Sequence, residues 1–544
     1  MRAWVVALLL VVVAFLPRAI GLAQFATWDE LQWTHATLRF WRAVDTERWP
    51  RTYIIGQPAI VSMWLGSAPL TWRGFTGGPD EWETIGQASR PSYSMDDMAA
   101  LGDLADYWRD LPIATAVAAS LAVGAIYLLA RRLFGARAAL VAGILVAFDP
   151  LYLAHSRLVT LDAVMASLML LSVLTLLIYV THGRRWPWLV ASGVLGGLAA
   201  LQKTPGTFLL GFVALVCLLV AGTAGVREFV KQLPRVILTV LGWAAAAVVT
   251  YVAAWPAMWT TPVETLTAVF RTLRAYGPAA FNPTFFLGEP TTAPGVLFYP
   301  LVFLFKTTPL TLLGLALLGW LALSMARANW CMADGGKAMM AAGLLVLYAV
   351  LYGVFLSIAA GKFDRYLLPA LLPLNVAAGV GLAWSVSLLA PLQRYLGRTK
   401  VHLGSALLGV ALLIQSVHVL AAYPYFLAWY NPIVGGQQAA VGVLPLGMGE
   451  GVEQAAHYLA ALPNANKLKV ATWSAVGLAP WFQGEVIMPD AKHPWQSADY
   501  AVVYITDVQR GEEIARQMEG REPVFVGHVG SMDYVWVYQL RGSQ

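Results

Sequence analysis

Charge is what this sequence has least of. Only 12% of its 544 residues are Asp, Glu, Lys or Arg, about half the share found in soluble globular chains. So little charge cannot coat a water-facing surface over this length, which excludes a cytosolic enzyme and a disordered chain. Cysteine is nearly missing too. Cys217 sits in an apolar run and Cys331 in a polar loop, so no disulfide scaffold and no bridge between them is expected. No Gly-rich phosphate loop joins a strand to a helix, so there is no nucleotide fingerprint. The clustered His/Cys/carboxylate spacing of structural zinc sites is also missing. No internal repeat is visible, which weighs against transporters built from inverted repeats. The net charge is +6. In this composition it reads as Lys and Arg in cytoplasmic loops, and a nucleic-acid partner is not expected.

What is present is apolar sequence: 58% hydrophobic residues and a mean hydropathy of +0.63. A helix of about 20 apolar residues crosses a bilayer core. Runs at roughly 3–25, 111–130, 138–151, 161–181, 187–202, 205–222, 235–256, 307–326, 338–360, 366–390 and 403–422 predict about eleven such helices. Those at 138–151 and 187–202 are short. The first run is long and lacks a small-x-small cleavage signal, so it is expected to stay as an uncleaved anchor. The 22 Trp and 21 Tyr suit a protein with two membrane interfaces.

Orientation follows from alternate loops. Arg131, Arg132 and Arg137; Arg184 and Arg185; Arg227, Lys231 and Arg235; Arg327 and Lys337; and Arg394, Arg398 and Lys400 all fall on one side of an eleven-span chain. By the positive-inside rule that side is the cytoplasm. The N-terminus is then cytoplasmic and the C-terminus extracytoplasmic, in a multi-pass protein of the cytoplasmic membrane. From Tyr423 the apolar runs shorten to strand length: Lys469–Trp473, Tyr500–Thr506, Val524–Val529 and Tyr534–Leu540, with helix-like stretches at Gly451–Leu462 and Glu512–Glu519. The expected organisation is a polytopic α-helical domain over 1–425, its first outer loop long and acidic over 26–110. A small extracytoplasmic α/β domain follows over 426–544.

Three features carry chemistry. Asp29 and Glu30 stand where the first run ends. Chain neighbours project in different directions, so they are not a shared-proton dyad. One can act as base while the other orients it or binds a metal or the acceptor; the bland alternative is two interfacial carboxylates. Asp162 enters a long apolar helix, where it is either an N-terminal cap or a site residue. His155 lies seven residues before it and shares its face if the segment is helical. Arg157, Lys203, Lys306, Lys362 and Arg365 are cations at outer span ends, where the positive-inside rule disfavours them. Each alone can snorkel to headgroups. Together with Asp29 and Asp162 they suggest an anion site, and a lipid-linked phosphate is the anion found at that depth.

The ordered stretches Trp28-Asp29-Glu30, Ser156 to Asp162, Leu201-Gln202-Lys203-Thr204-Pro205-Gly206, Phe305-Lys306-Thr307-Thr308-Pro309 and Lys362 to Pro369 resemble the ArnT-like and protein O-mannosyltransferase group, the family 39 glycosyltransferases of the GT-C fold. The Tyr430-Asn431-Pro432 to Gly451 stretch is similar to bacterial members with a C-terminal soluble domain. The resemblance covers about 1–425. It implies a membrane glycosyltransferase (hexosyl- or pentosyltransferase) that takes sugar from a polyprenyl-phosphate donor to a hydroxyl acceptor (lipid, glycan or protein) on the extracytoplasmic face, with inversion. Asp29 takes the catalytic position, with Glu30 and Asp162. Arg157, Lys203, Lys306, Lys362 and Arg365 hold the donor phosphate, and His155 is a further candidate. No cofactor is required by the pattern; a divalent metal held by Asp29 or Glu30 with the donor phosphate stays open. The tail does not resemble the carbohydrate-binding module of eukaryotic protein mannosyltransferases. The rival expectation is a transporter or flippase of a lipid-linked sugar.

Overall fold

All eleven apolar runs are helical in the computed structural model, which describes residues 2–22, 24–72, 110–223, 225–275, 283–327, 333–359, 361–386, 403–489 and 494–541. Among the described residues seven helices are long and apolar enough to cross a membrane. An eighth span results if Phe298–Lys306 and Pro309–Met325, bent by 110°, count as one. The remaining three runs form Ala3–Ala19 and Trp186–Gln202, with 17 residues each, and Ala136–Ala147, with 12. At 1.5 Å per residue these rise about 18–26 Å, short of a core of about 30 Å. Cys331, Arg394, Arg398 and Lys400 lie outside the described residues.

The bundle is organised around two helices. Asp162–Thr181 and the segment Asp364–Ser385 are each 89% buried along their apolar stretch, whereas Val226–Ala254 is 11% buried and lies at the periphery. With no hydrophobic drive between helices in lipid, small residues set how closely they approach. Helix Leu368–Ser385 comes so near Pro309–Arg327 that a Cβ on Gly381 would sit 2.0 Å from the Gly314 carbonyl oxygen.

The segment after the first helix is more ordered than a loop. It holds helices Trp28–Asp45 and Ile60–Trp72, and residues 73–109 lie outside the described part. Thr27 opens the first of them with a capping box completed by Glu30. Trp33, Ala36 and Phe40 then bury one face against Ile60 and Met63.

The tail forms a five-stranded mixed sheet in the order Glu485–Ile487, Lys469–Ala471, Tyr500–Tyr504, Met532–Gln539, Phe525–Val529. The first three strands are parallel, and the long Met532–Gln539 strand runs antiparallel to both of its neighbours. Helices Val452–Ala460 and Glu513–Met518 fall where helix-like stretches were expected. Glu485–Ile487 is an additional strand. The tail is hydrogen-bonded to the bundle: Asn431 N donates to Phe305 O at 2.7 Å, and Leu287 N, beside the hairpin of Thr284–Phe286 and Glu289–Thr291, donates to Val443 O at 3.0 Å.

Candidate functional site

The site is assembled at one end of the bundle from the starts and ends of five segments. Helix Trp28–Asp45 delivers Asp29, helix Asp162–Thr181 delivers Asp162, and the end of Trp186–Gln202 delivers Lys203. The end of Phe298–Lys306 and the turn over 361–367 supply Lys306, Lys362, Asp364 and Arg365. Arg365 is the hub. Its Nη2 lies 2.9 Å from Asp29 Oδ2 and its Nε 3.4 Å from Asp162 Oδ2. The second contact is close but not aligned as a hydrogen bond, and among the described residues Arg365 Nε has no hydrogen-bond partner. The other Asp162 oxygen accepts from Lys203 Nζ at 2.7 Å. Asp162 is the first residue of its helix, after the N-cap Leu161, and its side chain is paired with Lys203 and Arg365.

The expected cations are not free. Lys306 is buried; its Nζ donates to Leu427 O at 2.7 Å, lies 3.6 Å from Asp364 Oδ2 and sits 3.7 Å over the Tyr430 ring. Lys203 also stacks on the Tyr366 ring at 4.0 Å. Lys362 donates to Ser357 O at 2.8 Å and faces the Tyr299 ring at 6.0 Å. Arg157 stands apart from this cluster. It donates to the Pro17 and Gly21 carbonyls and packs on the Tyr423 and Phe426 rings, tying the first helix to the 149–162 segment and the start of the tail.

The two neighbouring carboxylates diverge as chain geometry requires. Asp29 is partly exposed, 26% by side chain. Glu30 is buried, and both of its oxygens accept from backbone: Oε2 from Thr27 N at 3.0 Å, Oε1 from Val159 N at 3.1 Å. It pins the start of its helix to the loop before Asp162.

His155 and Asp162 are not on one helix. Pro150–His155 ends, a turn intervenes, and a new helix starts at Asp162. His155 is nevertheless buried within electrostatic reach of Asp364, Asp162 and Asp29. Burial outweighs those carboxylates and pushes its imidazole down to about 4. Its Nδ1 is 3.5 Å from Thr160 Oγ1, and among the described residues Nε2 has no partner. Among the described residues no group of three His, Cys, Asp or Glu side chains is set to hold a metal.

Two acids escaped the sequence reading. Asp364 lies between the singled-out Lys362 and Arg365, and its Oδ1 also accepts from Arg365 N at 2.7 Å. Glu450 comes from the tail loop Gly447-Met448-Gly449-Glu450-Gly451. It is buried, accepts from Met448 N at 2.7 Å and interacts with Lys306. Burial holds its carboxyl above the ordinary range. The loop reaches the site because Gly449 has φ +119° and passes so close to Ala26 that a Cβ would sit 2.3 Å from its carbonyl oxygen. Met448 Sδ lies 3.9 Å from Arg365 Nη1.

Below Lys362 an apolar cavity of about 820 Å³ opens between helices Phe298–Lys306, Pro309–Arg327, Ala333–Ile358 and Leu368–Ser385. Tyr299 and Ser357, the two contacts of Lys362, line it; Phe303, Leu318, Val350 and Leu374 continue it along the bundle.

Comparison with known proteins accords with this arrangement. Residues 108–255 match the family model "Dolichyl-phosphate-mannose-protein mannosyltransferase", a stretch that holds His155, Arg157, Asp162 and Lys203. No curated protein sequence matches the chain. Among solved structures it is similar to ArnT from Cupriavidus metallidurans. The apo state shares 17% identity and the undecaprenyl phosphate-bound state 16%; each covers 99% of both chains, with TM-scores of 0.51 and 0.50. At that identity the likeness shows the fold: a GT-C helical membrane bundle with a small C-terminal sheet region.

Proposed function

We propose that this chain is a glycosyltransferase of the ArnT-like and protein O-mannosyltransferase group, moving a sugar from a polyprenyl-phosphate donor to a hydroxyl acceptor with inversion. The observation that carries the reading is that Tyr299 and Ser357, the two contacts of Lys362, line the apolar cavity of about 820 Å³. An isoprenoid chain needs an apolar channel and its phosphate needs cations at the mouth; Lys362, bonded to Ser357 and facing Tyr299, stands there. The family-model match and the fold shared with ArnT support the same reading.

In the ligand-free site each of Lys203, Lys306 and Arg365 is matched by a carboxylate. A donor phosphate entering at Lys362 competes with Asp29 for Arg365. Asp29 is then released at the most solvent-accessible carboxylate of the cluster. It accepts the acceptor hydroxyl proton as general base, an effect of about 10²–10⁴-fold. The acceptor oxygen bonds to the sugar anomeric carbon as the carbon–oxygen bond to phosphate breaks. The electron pair leaves with polyprenyl phosphate, whose charge is met by Arg365, Lys203 and Lys362. Glu30 positions the helix start without taking a proton. A divalent ion would be held by Asp29 and would neutralise charge developing on the donor phosphate, since both oxygens of Glu30 accept from backbone. The alternation of the loop cations supports an extracytoplasmic site, with the N-terminus inside and the tail from about 426 outside.

Purified protein incubated with a polyprenyl-phosphate sugar and a hydroxyl acceptor should release free polyprenyl phosphate in step with glycoside formed. A lipid-linked sugar flippase would move the donor across the bilayer intact, and that outcome would overturn the enzyme reading.

A further inference from the structure

Helix Val226–Ala254 faces lipid along most of its length, with Val248, Val249 and Val252 exposed near its outer end. Eight residues on, helix Pro262–Ala275 begins, and it has three faces. Thr265 and Val269 are buried against the protein. Val263, Leu266, Phe270 and Leu273, spaced 3, 4 and 3 apart, form an exposed apolar stripe, with Val263 71% and Phe270 61% exposed. Glu264, Thr267, Arg271 and Arg274 form the polar face beside it. A stripe of this kind does not face bulk water without cause. Here it continues the lipid-facing surface of the preceding span through Trp259, itself 52% exposed.

The buried face rests on the segment after helix Trp28–Asp45. Trp49 and Trp259 pack with ring centroids 5.5 Å apart, Ala257 N donates to Thr52 Oγ1 at 2.8 Å, and Gly56 abuts Thr272. This contact packs the segment that carries exposed Arg42, Arg48 and Arg51, with Asp45 and Glu47 between them, against the segment that carries exposed Arg271 and Arg274. Desolvation, then repulsion from Arg48 and Arg51, lowers the Arg42 guanidinium below its ordinary range. Among the described residues none of Arg48, Arg51, Arg271 and Arg274 forms an ion pair. These cations lie at the non-cytoplasmic end of a span, where sequence statistics disfavour them.

We propose that helix Pro262–Ala275 and the segment Arg42–Arg51 form an interfacial surface that binds the phosphodiester headgroups of anionic phospholipids, with the apolar stripe among acyl chains and the arginines at phosphate level. A helix with this division of faces lies in the membrane plane about 5–10 Å into the headgroup–acyl boundary. The guanidinium fork matches phosphate oxygens in pairs. The occupant is the leaflet at which Val226–Ala254 ends, because that helix leaves the chain at its surface.

The test uses the full chain in lipid nanodiscs. A nitroxide on Phe270→Cys, in a Cys217→Ala, Cys331→Ser background, should collide more with oxygen than with a water-soluble nickel chelate; one on Thr267→Cys should do the reverse. Equal water access at the two positions would overturn the placement. In equimolar phosphatidylglycerol and phosphatidylcholine, native mass spectrometry should count at least threefold more phosphatidylglycerol on the wild type. R42Q/R48Q/R51Q/R271Q/R274Q should erase that preference, and R271Q/R274Q, which keeps the packed face intact, should at least halve it. A preference unchanged in the double variant, or displaced by excess inorganic phosphate, would overturn the assignment to lipid headgroups.

Discussion

Two ion pairs in this molecule have nearly the same length and opposite surroundings. Lys203 and Asp162 meet at 2.7 Å with side chains 8% and 3% exposed; Lys231 and Glu228 meet at 2.6 Å with 65% and 51% exposed. In water the exposed pair gains little, because screening and side-chain entropy offset the attraction. The buried pair has lost its hydration, so each charge depends on the other and on Arg365. Distance alone does not separate them. Under the proposed function the buried cluster exchanges a carboxylate for the donor phosphate; the exposed pair decorates a helix.

The largest expected difference comes from leaving buried cations without their carboxylate. Asp162→Ala should destabilise the folded protein by about 3–5 kcal/mol, read as a lowered thermal midpoint in detergent. A shift no larger than that of a surface variant would erase the contrast. Next, Asp29→Asn should cut transfer by about 10²–10⁴-fold while the thermal midpoint moves little, since Asp29 is the exposed edge of the cluster. Near-normal kcat would move the base elsewhere. Arg365→Lys should lose about ten- to a hundredfold in kcat/KM, because a point charge cannot bridge Asp29, Asp162 and a phosphate as the fork does.

The tail supplies a pH test. Burial raises the Glu453 carboxyl to about 7, above its ordinary value of 4.5. The folded state therefore holds a proton that the unfolded state gives up. Stability is greatest below about 4.5 and declines as pH rises through about 7. Glu453→Gln should flatten that decline in unfolding measured from pH 5 to 8; an unchanged slope would place the titration elsewhere. Smallest of all, Glu228→Gln should cost a few tenths of a kcal/mol and respond to added salt.

Much of the bundle was legible because lipid imposes one rule, a sustained apolar run, and every run became a helix. Length was harder: Ala136–Ala147 stops at Gly135 and Phe148, before it can span. Helix Trp28–Asp45 was read as loop because its composition is mixed, although Thr27 and Glu30 already formed a capping signature. Strand Glu485–Ile487 has three residues and too little alternation to register. In the site, Asp29, Asp162, Lys203, Lys306 and Arg365 were visible as charges out of place. Their pairings were not, since Arg365 finds Asp29 across 336 residues. Arg157 looked like the other cations and is instead a bracket between carbonyls. Glu450 carried no signal, being one acid among glycines.

Gly449 against Ala26 sets an order of manufacture. The carboxylate at position 29 leaves the ribosome early, while the loop that closes over it is made 421 residues later. At about 5–20 residues per second, tens of seconds pass before both halves exist. Through that interval the nascent chain holds Lys306 without its tail-side partners, the Leu427 carbonyl and Glu450. In a chain truncated anywhere before 450, Lys306 therefore lacks the Glu450 carboxylate, which arrives only once the last domain has been delivered and docked.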